Sequence, residues 1–156
     1  MLLHSLEFDD YADDNYHLIG IHSVLEDYRL AFLLNKHFLF NFRKANYDLD
    51  VTNEGYNSSY NIFEYNNKEL AHDWFLISNS CRLKATTNNS GFFNENEIIT
   101  YLLPEEKKID YFLKIEGDID DDYIDAFVKK MKTISQIVTS YKIETNTLKS
   151  KNFLIF

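Results

Sequence analysis

The sequence predicts a single α+β domain: a mostly antiparallel sheet of about six or seven strands with two principal helices. Three observations carry this. Short runs of β-branched and aromatic residues alternate with polar, turn-like clusters along most of the chain. Two stretches, near Ser23 and after Asp120, show helical spacing instead. Aromatic residues make up 16% of the 156 residues while Gly and Pro are scarce, which argues for a packed core and against disorder. A chain of this length buries roughly two-thirds of its unfolded surface and needs no disulfide to fold.

Leu2–Phe8 reads as a first strand and Asp9–Asn15 as an acidic loop. Asp9, Asp10, Asp13 and Asp14 lack the glycine and the distal glutamate of an EF-hand loop, so a solvated loop is expected. Tyr16–Ile21 is a short strand. Ser23 and Glu26 have capping-box spacing and predict a helix from Ser23 to about Asn35, with Leu25, Tyr28 and Phe32 on its apolar face and Ala31 and Leu34 beside them. Arg29 is placed to pair with Glu26. His37–Arg43 alternates, with Phe38, Phe40 and Phe42 inward, and reads as a strand. The phase flips at Tyr47, Leu49 and Val51, which predicts a bend near Lys44.

Thr52–Ser58, with Gly55, reads as a turn, Ser59–Tyr65 as a strand and Asn66–Lys68 as a turn. Asp73–Leu83 reads as one long strand, with Phe75, Ile77, Cys81 and Leu83 on one face and Trp74 and Leu76 on the other. A loop follows from Lys84 through the Asn-rich Thr86–Ser90 to Asn96. Gly117 ends a later strand. A long helix is expected from Asp121 to Tyr141, its acids at the positive end of the dipole and its stripe formed by Ile124, Phe127, Val128, Met131, Ile134, Val138 and Tyr141. Asp125 and Lys129 add a pair one turn apart. Asp118, Asp120 and Asp122 have calcium-loop spacing, but Tyr123 holds the glycine position and Lys129 the bidentate-glutamate position, so no EF-hand is expected. Thr145–Lys151 reads as a turn or short helical segment, and Asn152–Phe156 as a final apolar strand.

The chain is organised around Tyr101–Gly117. Glu97–Leu103 and Asp110–Ile115 read as the two strands of a hairpin, with the only proline, Pro104, ending the first. The segment LPEEKKIDY resembles the signature of the bacterial IPExxxDY family. Leu103, Pro104 and Glu105 match its first half with Leu for Ile, and Asp110 and Tyr111 match its second. Four residues, Glu106–Ile109, separate the halves where the family name implies three. LIGIHSVLEDYRLAFLLN and LKSKNFLIF are also similar to that family. The resemblance implies a small bacterial protein of unknown activity and supplies no catalytic residues. Glu105 and Asp110 could share a proton or a metal across the hairpin, but a solvated glutamate and a turn-bonding aspartate are the simpler reading.

The net charge of −9 opposes nucleic-acid binding, which draws its affinity from neutralised phosphates. Lys129, Lys130 and Lys132 read as a solvated face. The N-terminus lacks the basic region of a signal peptide, and no apolar run approaches the ~20 residues of a membrane span. The single cysteine, Cys81, suits a reducing compartment, so the expectation is a cytoplasmic protein with neither membrane nor nucleic acid as partner. Cys81 could act as a nucleophile with His72 or His22 as base, but nothing adjacent would activate a thiolate, so a buried small hydrophobe is the expected role. No phosphate loop, hydrolase elbow or metal-ligand cluster is present in the sequence, so neither a cofactor nor a metal is expected.

Several strands are apolar on both faces, and two helices suffice for one. Curling of the sheet, loops, or another protein must close the second. The expectation carried forward is an aromatic interaction face that includes Trp74 and Leu76, on a non-catalytic protein that meets a protein partner or a second copy of itself. A small-molecule binder, or an enzyme whose site assembles only in the fold, is the alternative.

Overall fold

The computed structural model describes residues 16–85 and 96–156. The readings over Leu2–Phe8, Asp9–Asn15 and Thr86–Ser90 lie outside these. Within them the chain forms β1 (Tyr16–His22), α1 (Asp27–Phe38), β2 (Arg43–Lys44), β3 (Leu49–Asn53), β4 (Tyr56–Tyr60), β5 (Ile62–Asn67), β6 (His72–Ser78), β7 (Ser80–Ala85), β8 (Asn96–Tyr101), β9 (Tyr111–Glu116), α2 (Asp121–Met131) and β10 (Thr139–Ile143). Short 3-10 turns occupy Pro104–Glu106, Thr145–Thr147 and Lys151–Leu154. Six strands make one antiparallel sheet in the order β10-β1-β9-β6-β5-β2, and β3–β4 and β7–β8 form two separate hairpins. The α+β class with two helices is therefore correct.

The central strands alternate between two cores, as strand geometry requires. On one face Ile19, Ile21, Trp74, Leu76, Leu113 and Ile115 pack beneath Leu30, Ala31 and Leu34 of α1 and Ile124, Phe127, Val128 and Met131 of α2. On the other, Leu18, Phe75, Ile77 and Phe112 are covered by Tyr60, Leu102, Leu103, Ile109, Leu148 and Leu154. The second face is thus closed by the chain's own segments. Gly20 permits this: a Cβ there would stand 2.9 Å from Ile109 Cδ1. Lys114, 3% exposed on the second face, clasps the C-terminal segment. Its ammonium donates to Leu154 O at 2.6 Å, pairs with Glu116 at 2.7 Å, and lies 4.4 Å from the Phe156 ring centroid.

Several expected elements are cut differently. The N-cap of α1 is Glu26, not Ser23, whose Oγ instead accepts from Leu25 N–H and donates to Gln136 O. Arg29 lies over the Tyr28 ring, 5.8 Å from its centroid. The helix runs on to Phe38, so His37–Arg43 is no strand. Asn35 stands in for a ladder partner, donating to Phe42 O and accepting from Phe42 N–H. The aromatic grouping survives, with Phe40 4.8 Å from Trp74 and 5.0 Å from Tyr65 between ring centroids.

The turn read over Thr52–Ser58 narrows to Glu54–Gly55, both at positive φ, joining β3 to β4 as a two-residue hairpin turn. Ser59–Tyr65 is broken at Asn61, and Asp73–Leu83 at Asn79, where the chain leaves one sheet for another. The hairpin read between Glu97–Leu103 and Asp110–Ile115 does not form: β8 pairs with β7, and β9 lies between β1 and β6. The helix read to Tyr141 stops at Met131, because β1 has an open edge that residues Thr139–Ile143 complete. Asp125 pairs with Lys142 at 3.2 Å rather than with Lys129. Asn152–Phe156 is not a strand: Lys151–Leu154 is a 3-10 turn, and the Phe156 ring beyond it meets Phe75 edge to face, 5.1 Å between centroids.

Candidate functional site

The Leu103–Tyr111 segment is held by a residue the sequence reading passed over. Asn79, 0% exposed, interrupts an apolar run between β6 and β7. Its Nδ2 donates to Glu106 O at 2.9 Å and Ile109 O at 2.8 Å, and its Oδ1 accepts from Leu103 N–H at 3.0 Å. Its backbone N–H donates to Asp110 O and its carbonyl accepts from Leu102 N–H. One amide side chain thus replaces the ladder that the expected hairpin would have supplied.

Each motif residue then has a structural duty. Leu103 is buried in the second core, and Pro104 opens the 3-10 turn. Glu105 accepts from Ser150 N–H at 2.7 Å and from Ser150 Oγ–H at 2.9 Å. Asp110 Oδ2 accepts from Ser23 N–H at 2.9 Å, and the Tyr111 hydroxyl donates to Leu25 O. The two halves of the motif therefore hold different parts of the chain: Glu105 the C-terminal segment, Asp110 and Tyr111 the β1–α1 connection. Glu105 and Asp110 are not brought together.

A groove of about 510 Å³ lies over that connection, lined by Ser23, Glu26, Asp27, Ser80, Asp110 and Tyr111 among others. Asp27 already accepts from Asn61 Nδ2 and Tyr28 N–H. Burial, then the Asp27, Asp110 and Glu26 carboxylates, push the Tyr111 phenol well above the ordinary tyrosine range. It stays a neutral donor at physiological pH. Among the described residues no group of three His, Cys, Asp or Glu side chains could hold a metal ion. His72 bonds Asp118 O, and Cys81 is a half-buried free thiol beside the second core.

Trp74 and Leu76 are each 1% exposed beneath the helices. They are interior, which corrects their assignment to an interaction face. Three of the exposed large apolar side chains lie on α1 and at its end. Tyr28, Phe32 and Leu39 are 53%, 69% and 90% exposed. Helical spacing puts Tyr28 and Phe32 on the side away from Leu30 and Leu34, and Leu39 caps the C-terminal end of the helix. Tyr28 and Phe32 belong to the face that the sequence offered as apolar, whereas Leu25 of that face packs against the core. Leu39 terminates α1 in the left-handed region (φ 58°), a position that favours glycine. It stands on the rim of an apolar groove of about 330 Å³ formed with Phe38, Phe40, Tyr123, Phe127 and Lys130.

Comparison with protein-family models, curated proteins and solved structures found no match for this chain. Among the described residues no helix is long and apolar enough to cross a membrane.

Proposed function

We propose that this chain is a non-catalytic cytoplasmic protein that acts through protein contacts, and that its docking surface is the outer face of α1. The observation that carries the reading is the exposed pair Tyr28 and Phe32 on a helix whose opposite side already fills the core, with exposed Leu39 at its C-cap. Exposed aromatic and leucine side chains grouped on one helix cost solubility and supply the apolar centre a protein interface needs. The groove beside Leu39 extends the same apolar surface onto α2. The motif residues support the reading by their roles: all five are engaged in holding segments of the chain in place. The reading also keeps the chain beside the IPExxxDY family, on the strength of Leu103–Tyr111 and the two flanking stretches.

A photoreactive benzoylphenylalanine at position 32 tests it. Irradiation of living cells is expected to give protein adducts from position 32 and none from position 69, an exposed polar site. No adduct at position 32 would overturn the reading.

A further inference from the structure

We infer that the groove between the end of α1 and α2 is a binding site for a small amphipathic monocarboxylate, with its apolar body against Phe38, Phe40 and Phe127 and its carboxylate on Lys130. The inference goes beyond the docking reading and does not rest on it, since Phe32 takes no part in the groove. The volume, about 330 Å³, lies at the lower end of the range for small-ligand sites. The Phe38 and Phe40 rings each meet Phe127, at 4.4 Å and 5.8 Å between centroids. Phe127 is itself buried in the core, so the apolar wall is anchored to the fold.

The charge of the groove differs from that of the chain. The chain carries 25 acidic and 16 basic side chains. Among the described residues that line the groove there is no carboxylate, and Lys130 is the one lysine or arginine. Its ammonium lies 5.0 Å from the Phe38 ring centroid and makes one long hydrogen bond, 3.5 Å, to His37 O. Among the described residues no carboxylate pairs with it. An ammonium has three donors, so the others remain for a ligand at the edge of the apolar wall. The carbonyl end of α1 repels an anion, and Lys130, bonded to a carbonyl there, offsets this. A neutral apolar ligand would strip water from the ammonium and return nothing, and a cation would repel it. A monocarboxylate satisfies both halves of the groove. The net charge of −9 repels any anion at a distance, so the preference is set at contact range by Lys130.

Leu39 is a second, independent observation. It holds the left-handed C-cap of α1, which glycine or asparagine adopts with less strain. As a leucine it leaves 90% of its surface in water, so its side chain adds little to the fold. It stands on the rim of the groove, where an apolar ligand would cover it.

Three probes of one shape test the inference: phenylbutyrate, phenylbutanol and phenylbutylamine, each titrated to about 10 mM into the labelled full chain and followed by amide NMR shifts. Saturable shifts at Leu39, Ala126 and Lys130 are expected for the acid, with the alcohol weaker by about fivefold or more and the amine silent. Lys130→Gln is expected to bring the acid down to the level of the alcohol and to leave the alcohol unchanged. Ala126→Phe, at an exposed position, should fill the groove and abolish binding of both with the circular dichroism unchanged; if that variant does not fold, Lys130→Gln decides. The inference is overturned by no saturable shift, by shifts centred away from the groove, or by an acid that binds no tighter than the alcohol. A preference that survives Lys130→Gln, or binding that survives a folded Ala126→Phe, overturns it too. The cross-link at position 32 reports on the docking reading alone. An adduct there without acid binding removes this site and leaves docking standing, and acid binding without an adduct does the reverse.

Discussion

Asn79 shows how much one side chain decides. Its side-chain hydrogen bonds satisfy Leu103 N–H and Ile109 O, both on buried residues, and also reach Glu106 O, which accepts from Ile109 N–H as well. Among the described residues no buried side-chain nitrogen or oxygen lacks a partner, so no spare group can substitute. Asn79→Ala is expected to destabilise the fold by roughly 3–5 kcal/mol, since each orphaned buried group costs about 1–3 kcal/mol. Chemical denaturation would check it, and a loss under about 1 kcal/mol would show that the loop has another anchor. The sequence held a cue here: an amide in the middle of Phe75–Leu83, where every alternate position should be apolar. The alternation on each side was regular enough to hide it. Periodicity reports which face a residue takes, not whether the ladder continues through it.

At the scale of elements, starts were more legible than ends. Asp120 and Asp121 announce α2, and Gly117 closes β9, because both signals are local. The end of α2 was not legible, because the open edge of β1 claims Thr139–Ile143, and that edge is remote in sequence. The C-terminal segment is likewise fixed from afar, by Lys114 and Glu105. Partial burial pushes the Glu105 carboxyl up. Hydrogen bonds from its own backbone N–H, from Ser150 and from Lys149 outweigh this and hold it below the ordinary glutamate range. A depressed carboxyl stabilises the fold above its unfolded pKa and stops doing so as pH falls through the folded value. Glu105→Gln removes that linkage. The stability gap between wild type and Glu105→Gln is therefore expected to be full near neutrality and to shrink below about pH 4. A gap that stays constant into acid would show that the clasp does not depend on the charge.

At the scale of the whole molecule, the described residues form a six-stranded sheet with a core on each side, joined by two separate hairpins. Phe112 and Leu113 are adjacent on β9 and fully buried, one in each core. Because both cores share the same strands, they are expected to melt as one unit. Phe112→Ala and Leu113→Ala should each cost about 2–5 kcal/mol. Trp74 fluorescence, which reports one core, should coincide with circular dichroism in both variants. Transitions that separate would mean that the C-terminal cover unfolds independently of the helical layer.

The sequence by itself determined the α+β class, the two-sided apolar character of the central strands, and the starts of β1, β6, β8, β9 and α2 to within a residue. These depend on local alternation, capping and turn chemistry, which neighbouring residues supply. The tertiary structure alone decided three further things. It set the pairing of β9 with β1 and β6 rather than with β8. It closed the second core with the chain's own C-terminal segment. And it chose which apolar stripe of α1 faces inward. The sequence reading centred the apolar face on Leu25, Tyr28 and Phe32, with Ala31 and Leu34 beside them. A helix presents only one side to the sheet, and in the fold that side is Leu30, Ala31 and Leu34, with Leu25 and Leu33 packed against the same core, while Tyr28 and Phe32 face outward.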